Sequence, residues 1–506
     1  MLARGAARER ELAVRVALGA PRLRLVRQVL CESLILAIAG AAIAVALSKT
    51  LSAGVVGFLS STDHPLFLDL SVDWRVLGFT ALVASALCIF MGFAPAWRAT
   101  QTDPGEAVRS GGRGMTANAA RFRFQRFLVI GQIAVSVVLV TAALLFVQSF
   151  RKLVTMDPGF RSKGILLVYW QTPRPLSSKE GRALERQLLD EARSIPQVEM
   201  AASTTNVVVG AGRIYLGVQV GVARQYSVFT WVSPGSFQAL ETPLLAGRDF
   251  NEHDTDSSPK VAVVNQSFVK LFFPEGSPIG KTFRSVAEPD FPEAQFEIVG
   301  VVKDTRYYDM HDAQQPMVYA PSTQVTTDAA DSMYVRSLAP LSSLAGSLKE
   351  RIAELHPEIE MSTIEFQTQI DRGFARDRLL AMLSGFFGVL AALLASIGLY
   401  GVISYMVVRR QNEIGIRMAL GSGRARVIGL VMADVGVMLA AGIVIGLGFG
   451  LAATRTAQSL LFEISPRDPA IFVTAIVVLG LVALASALLP ARRAARMDPM
   501  VALRCD

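Results

Sequence analysis

Apolar residues along this chain fall into long blocks toward both ends and into short runs in the middle. Six blocks approach the roughly 20 apolar residues an α-helix needs to cross a hydrocarbon core. They run from about Val26 to Leu47, Trp74 to Trp97, Phe127 to Phe150, Ala381 to Val408, Val427 to Ala453 and Ala470 to Leu489. Between the third and fourth blocks the pattern changes. "GILLVYW", "SVFTWV", "KVAVV", "FEIVGVV" and "SMYVRS" read as strands, rich in β-branched and aromatic residues. "SKEGRALERQLLDEARSI" and "LSSLAGSLKERIAELH" read as amphipathic helices. Phe366 to Val408 reads as one helix, roughly 60 Å long at about 1.5 Å per residue, with Ile370 and Phe374 on one face of its outer part. The expected fold is a polytopic α-helical membrane protein with six spans and an α+β domain inserted among them.

Composition agrees: 52% of the residues are hydrophobic and the mean hydropathy is +0.41. The net charge of +8 would suggest nucleic acid for a soluble protein. Here the arginines crowd beside apolar spans, so the charge reads as topology and no nucleic-acid partner is expected. Arg4, Arg8, Arg10, Arg15, Arg22 and Arg24 precede the first span; Arg98, Arg109, Arg113, Arg121, Arg123 and Arg126 lie between the second and third. Arg409, Arg410, Arg417, Arg424 and Arg426 lie between the fourth and fifth, and Arg492, Arg493, Arg496 and Arg504 follow the sixth. The opposite short loops carry only Lys49, or Arg455 and Arg467. Positive charge stays inside, so both termini are expected in the cytoplasm and residues 151 to about 378 outside it. Cys31, Cys88 and Cys505 make neither a disulfide framework nor a zinc spacing. The opening "MLARGAARERELAVRVALG" lacks the apolar stretch of a secretory signal.

Two stretches invite a catalytic or ligand reading. Gly276, Gly280, Lys281 and Thr282 form G-x-x-x-G-K-T, one residue short of a phosphate-binding loop. That segment falls in the external domain, after a helical stretch, and contains Pro278, so a Gly/Pro turn is the preferred reading and no nucleotide site is expected in this chain. Asp249, Glu252, His253, Asp254 and Asp256 cluster in "GRDFNEHDTD" without the glycine and terminal glutamate of a calcium loop. A solvated turn is preferred, and no metal or catalytic residue is assigned.

An internal repeat carries more information. "ERELAVRVALG" (Glu9 to Gly19) matches "QNEIGIRMALG" (Gln411 to Gly421), and "PAWRATQTDPGEAVR" (Pro95 to Arg109) matches "PARRAARMDPMVALR" (Pro490 to Arg504). Duplicated membrane architecture of this kind is typical of transporters. With "IGLYGVISYMV", "LLAGRDF", "NQSFVKLFFPEGSPIGKTF" and "EIVGVVKDTRY", the chain resembles the MacB/FtsX-type ABC transporter permeases, in their duplicated, acidobacterial orphan form. The resemblance divides the chain into a partial permease unit (1–109), a cytoplasmic linker (110–126), a transmembrane helix (127–150), an extracytoplasmic domain (151–378) and a permease unit with three helices (379–506). Residues 1–109 match only the end of a preceding unit, so an N-terminally incomplete chain is expected.

The resemblance implies a permease subunit in the bacterial inner membrane, driven by a separate cytoplasmic ATP-binding subunit that holds the ATP and magnesium. ATP hydrolysis inside would move the outer domain, for efflux or envelope export. A regulator of an envelope enzyme, or a membrane sensor without an ATPase, are the alternatives. A second permease copy or missing half, a periplasmic adaptor or envelope enzyme, and membrane lipid are the further partners implied. The resemblance makes the segment before the fifth span the coupling helix, with Glu413, Ile416, Arg417, Leu420 and Gly421 as contact residues and Glu11, Arg15 and Gly19 as the first unit's equivalents. Glu413 and Arg417 are spaced i, i+4 with the acid first, which favours a helix pair; the alternation of Ile414, Ile416, Met418 and Leu420 leaves a strand as the competing reading. Glu32 and Asp434 lie inside spans at matching repeat positions. Their role is open between an intramembrane function and an interfacial acid facing nearby arginine, the preferred reading.

Overall fold

The computed structural model describes residues 21–59, short pieces between 74 and 85, 115–457 apart from 211, 308–309, 312–313, 325–329 and 421, and 468–495. In chain order the elements are α1 (Arg22–Leu59), α2 (Met115–Thr155), β1 (Ile165–Gln171), α3 (Ser178–Ser194), β2 (Val198–Thr204), β3 (Ile214–Val220) and β4 (Ala223–Val232). There follow α4 (Ser236–Ala239), β5 (Leu244–Gly247), β6 (Val261–Asn265), α5 (Gln266–Phe272), β7 (Thr282–Ser285), β8 (Ala294–Val302) and β9 (Met317–Pro321). The last are β10 (Ser332–Ser337), α6 (Leu341–Leu355), β11 (Glu360–Glu365), α7 (Phe366–Gly373), α8 (Ala375–Arg409), α9 (Gln411–Ala419), α10 (Arg424–Ala457) and α11 (Pro469–Ala495). The chain forms two compact units, one of Met1–Phe150 with Arg378–Asp506, the other Arg151–Asp377.

The described residues of the first unit are helical. Among them, five helices carry stretches long and apolar enough to cross a membrane: Ala37–Gly54, Arg123–Thr155, Ala375–Val408, Arg424–Ala453 and Pro469–Ala495. The expected span from Trp74 to Trp97 lies mostly outside the described residues. Helices α2, α8, α10 and α11 share one core, built from Val129, Ile133 and Val137, Leu399 and Ile403, Val431 and Val435, and Ala475, Leu479 and Ala483. Their outward apolar side chains, such as Val135, Ile397 and Val444, stay exposed, as lipid-facing positions require. In lipid, close packing has to replace the hydrophobic drive between helices. Gly442 and Gly446 of α10 supply it: a Cβ at Gly446 would sit 2.7 Å from the Val137 side chain and 2.8 Å from the Ala134 carbonyl of α2. Ser136 Oγ on α2 donates across to the Ala391 carbonyl of α8 at 3.0 Å.

The second unit is α+β, and its strands divide into two parts. Strands β11, β1, β10 and β2 lie side by side, every neighbouring pair antiparallel. Helices α3 and α6 pack on them through Leu184, Leu188, Leu344, Leu348 and Ile352. With α3 between β1 and β2 and α6 between β10 and β11, this is a ferredoxin-like βαββαβ arrangement, its two halves separated in sequence by everything from β3 to β9. Those intervening strands form a closed circuit: β4 pairs β3, β3 pairs β7, β7 pairs β8, β8 pairs β6, β6 pairs β9, and β9 returns to β4. Closure removes free edges. Phe229, Trp231, Phe268, Phe283, Phe296 and Ile298 fill it. Gly247 ends β5 with φ +77, and a Cβ there would lie 2.1 Å from the Val299 carbonyl, so this corner of "LLAGRDF" accepts no side chain.

One expectation is corrected. The helix expected to run unbroken from Phe366 to Val408 is two helices, interrupted at Phe374. Gly373 is a weak helix former, and Phe374, with φ −87 and ψ −2, closes the turn while its side chain is buried.

Candidate functional site

The segment from Arg410 to Leu420 is a short helix, not a strand. Helix α9 follows α8 after a break at Arg410, and Ile414 N–H bonds to the Arg410 carbonyl at 2.8 Å. One face is anchored: Ile414 is buried and belongs to the helical core, with Met418 packed beside it. The other face is open. Glu413 and Arg417 form an ion pair at 2.7 Å with i, i+4 spacing. Beside them stand two exposed aliphatic side chains, Ile416 at 49% and Leu420 at 82% exposure. Leu420 caps the helix, its N–H reaching the Ile416 carbonyl at 3.0 Å, and Ser422 N–H returns to the Arg417 carbonyl at 2.9 Å. Glu11, Arg15, Gly19 and Gly421 lie outside the described residues.

Asp434 sits on α10 and is bridged by two arginines. Arg410 Nη1 donates to Oδ2 at 2.9 Å and Arg126 Nη2 donates to Oδ1 at 2.8 Å. The three side chains are a quarter to a third exposed. Arg126 comes from α2 and Arg410 from the break between α8 and α9, so Asp434 of α10 joins both to its own helix. Sequence reading counted Arg410 and Arg126 only as topological charges. The available signal was an acid inside a span close to arginine-bearing span ends; which arginines meet it depends on tertiary packing. Glu32 lies on α1, away in sequence from any of these groups.

In the second unit, the loop resembling a phosphate site has its amides engaged. Gly280 N–H bonds to the Ile298 carbonyl at 2.8 Å and Lys281 N–H to the Pro278 carbonyl at 3.1 Å. A strand, β7, follows where a phosphate loop opens a helix. Lys281 Nζ lies 5.1 Å over the Phe273 ring, and α5 is capped by Asn265, whose side chain accepts from Phe268 N–H at 2.9 Å. The acidic run is likewise engaged. Asp254 takes both Arg248 nitrogens at 2.8 and 2.9 Å, Asp249 accepts from Phe250 N–H, and Asp256 faces Arg182 at 3.8 Å. Among the described residues no three His, Cys, Asp or Glu side chains come together as a metal site would need.

Comparison with known proteins places both units. Residues 127–355 match the MacB-like periplasmic core domain. Residues 1–104 and 385–499 match the FtsX-like permease C-terminal domain. A macrolide export ATP-binding/permease protein MacB from Rhodospirillum rubrum is 28% identical over 290 residues, 55% of this chain and 42% of that protein. The uncharacterized ABC transporter permease YknZ from Bacillus subtilis is 23% identical over 282 residues, 54% of this chain and 69% of that one. The chain thus spans less than half of the length of the MacB relative. Among solved structures, the periplasmic region of MacB from Actinobacillus actinomycetemcomitans aligns with 17% identity and a TM-score of 0.32, covering 43% of this chain and 95% of that one.

Proposed function

The chain belongs to the MacB/FtsX-type ABC transporter permeases, and on that premise we propose that it is the membrane subunit of a system powered by a separate cytoplasmic ATP-binding subunit. That subunit would hold ATP and magnesium and would dock on α9. The observation that carries the proposal is the open face of α9. A nine-residue helix between two spans shows exposed Ile416 and Leu420 beside the Glu413–Arg417 pair. Water is a poor partner for a pair of aliphatic side chains held one turn apart, and a protein groove flanked by charge suits them. The arginine-rich ends of the spans support a reading in which α9 and both termini lie in the cytoplasm, where an ATP-binding subunit would meet the helix. Glu11, Arg15 and Gly19 would offer the equivalent contact from the first unit.

The proposed output is movement of the α+β domain outside the membrane, serving export. Export is the direction named for the MacB relatives and for a pyoverdine export ATP-binding/permease protein PvdT from Pseudomonas syringae, which matches 82% of this chain at 24% identity. A second permease copy and an envelope partner for the outer domain complete the proposed assembly. The test is co-production of the tagged chain with each ABC-type ATP-binding subunit of its source genome, with a photo-cross-linking residue at Leu420. The proposal expects one such subunit to co-purify and to cross-link at Leu420. Failure of all of them to be retained would contradict it and favour a sensor that needs no ATPase.

A further inference from the structure

The ion pairs of α9 do not end on its exposed face. Glu413, paired with Arg417 at 2.7 Å, also faces Arg410 at 4.0 Å. Arg410 reaches Asp434 at 2.9 Å, and the other oxygen of Asp434 takes Arg126 at 2.8 Å. Arg126 Nη2 also lies 3.9 Å from Met406 Sδ on α8. Five charged side chains therefore connect in turn from the open face of α9, through Arg410 just before its first residue and Asp434 of α10, to α2.

We propose that this line, Arg417–Glu413–Arg410–Asp434–Arg126, is a mechanical tie that makes α9 and the inner end of α2 move as one body. Asp434 is its positioning residue. A helix as short as α9 is marginal by itself, and it has one deeply buried large side chain, Ile414. Ile414 and the half-buried Met418 hold the middle and the end of the helix and leave its start without an apolar anchor. Arg410 precedes Ile414 by four residues and so lies on the same face; its bond to Asp434 anchors the start and keeps the helix from swinging about Ile414. The carboxylate is shared in a way that favours a tie: one oxygen serves the start of α9 through Arg410 and the other serves α2 through Arg126, so neither arginine can shift without pulling on Asp434. Partly buried ion pairs add little net stability compared with apolar packing, and their best-attested use is to specify register. Helix α2 is the helix from which the chain continues into β1 of the α+β domain, so a displacement of α9 would reach the segment leading to that domain. The purpose of the tie rests on the coupling proposed above; its existence does not.

The test uses the full chain in lipid nanodiscs with Cys31, Cys88 and Cys505 replaced by serine, spin-labelled at Ala419 on α9 and Val135 on α2, with no ATP-binding subunit present. Pulsed electron–electron resonance reads the distance distribution. A narrow distribution is expected for the parent chain, widening at least twofold in Asp434→Asn and staying narrow in Asp434→Glu, which keeps the charge. Arg126→Gln and Arg410→Gln should each widen it and add nothing further in the Asp434→Asn background. A Val135–Val444 label pair, reporting on α2 against α10, should be unchanged. An unaltered distribution in Asp434→Asn, additive effects of the arginine variants, or widening of the Val135–Val444 pair would overturn the tie. Because no partner is present, a positive result together with failed docking at Leu420 would keep the tie and discard the coupling.

Discussion

Replacing Asn265 with alanine should destabilise the α+β domain far more than a single amide suggests. Asn265 ends β6 fully buried. Its Oδ1 accepts from Phe268 N–H and from Met317 N–H, both at 2.9 Å, and its Nδ2 donates to the Gln315 carbonyl at 2.7 Å. The first bond is the N-cap of α5, worth about 1 kcal/mol. The second leaves a buried amide on β9 without a partner, at a cost of about 1–3 kcal/mol. The Gln315 carbonyl is half-buried and water can replace its donor, so it adds little. The expected loss is about 2–4 kcal/mol. With a urea slope of about 2 kcal/mol per molar, the midpoint should fall by roughly 1–2 M. The assay is urea unfolding of the full chain in detergent, followed by fluorescence; Trp231 is buried in the same core. Asn265→Asp keeps both acceptors but puts a charge opposite a carbonyl. Burial would raise that carboxyl, and once protonated it can donate to Gln315. Its deficit should therefore shrink as pH falls. An alanine variant losing under 1 kcal/mol, or an aspartate deficit that grows on acidification, would refute the accounting.

Glu185 is buried on α3, where burial pushes its carboxyl up against hydrogen bonds from Ser203, Ser322 and the Ala330 amide. A raised folded value gives stability that is full below the usual carboxylate range and is lost as pH rises through it. Relative to Glu185→Gln, the parent should therefore lose stability as pH rises above about 4, the ordinary glutamate value, in urea melts; a constant difference would contradict this. Gly446→Leu should overpack α10 against α2 and lower the thermal stability of the purified chain by about 1–3 kcal/mol, whereas Gly448→Leu, with nothing within 4 Å, should be silent; equal effects would contradict the packing. Lys281→Ala should leave nucleotide binding to the purified chain unchanged, measured with a fluorescent ATP analogue, and cost only the Phe273 contact, about 0.5–1 kcal/mol. A lost nucleotide signal would reopen the phosphate-loop reading.

Much of the fold is legible because membrane spans and buried strands leave strong local signals. Strands β1, β4, β6, β8 and β10 stand out as β-branched and aromatic runs. Strand β3, interrupted by Gly217 and Gln219, and β5, four exposed residues, do not. Closure of the six-strand circuit is not legible either, since it depends on the parallel pairing of Val228 with Met317, a contact that no local pattern encodes. At the candidate site, the Glu413–Arg417 pair follows from helical spacing. The partners of Asp434 do not: Arg126 is 308 residues away in sequence and meets it only because α2 and α10 pack face to face. The break at Phe374 is missed for a related reason. Both α7 and α8 carry helical patterns, and a one-residue interruption changes neither.

The central claim is that an ATP-binding subunit works on this chain through α9. The most direct measurement is ATP hydrolysis by that subunit, reconstituted with the chain in nanodiscs and compared for the parent, Glu413→Lys and a charge-reversed control, Lys349→Glu, on α6. An exposed i, i+4 pair contributes only about 0.3–0.5 kcal/mol, so Glu413→Lys should fold and insert normally. The account predicts that the parent and the control change the hydrolysis rate alike, and that Glu413→Lys leaves the rate of the subunit alone. A Glu413→Lys chain that changes the rate as fully as the parent would contradict it.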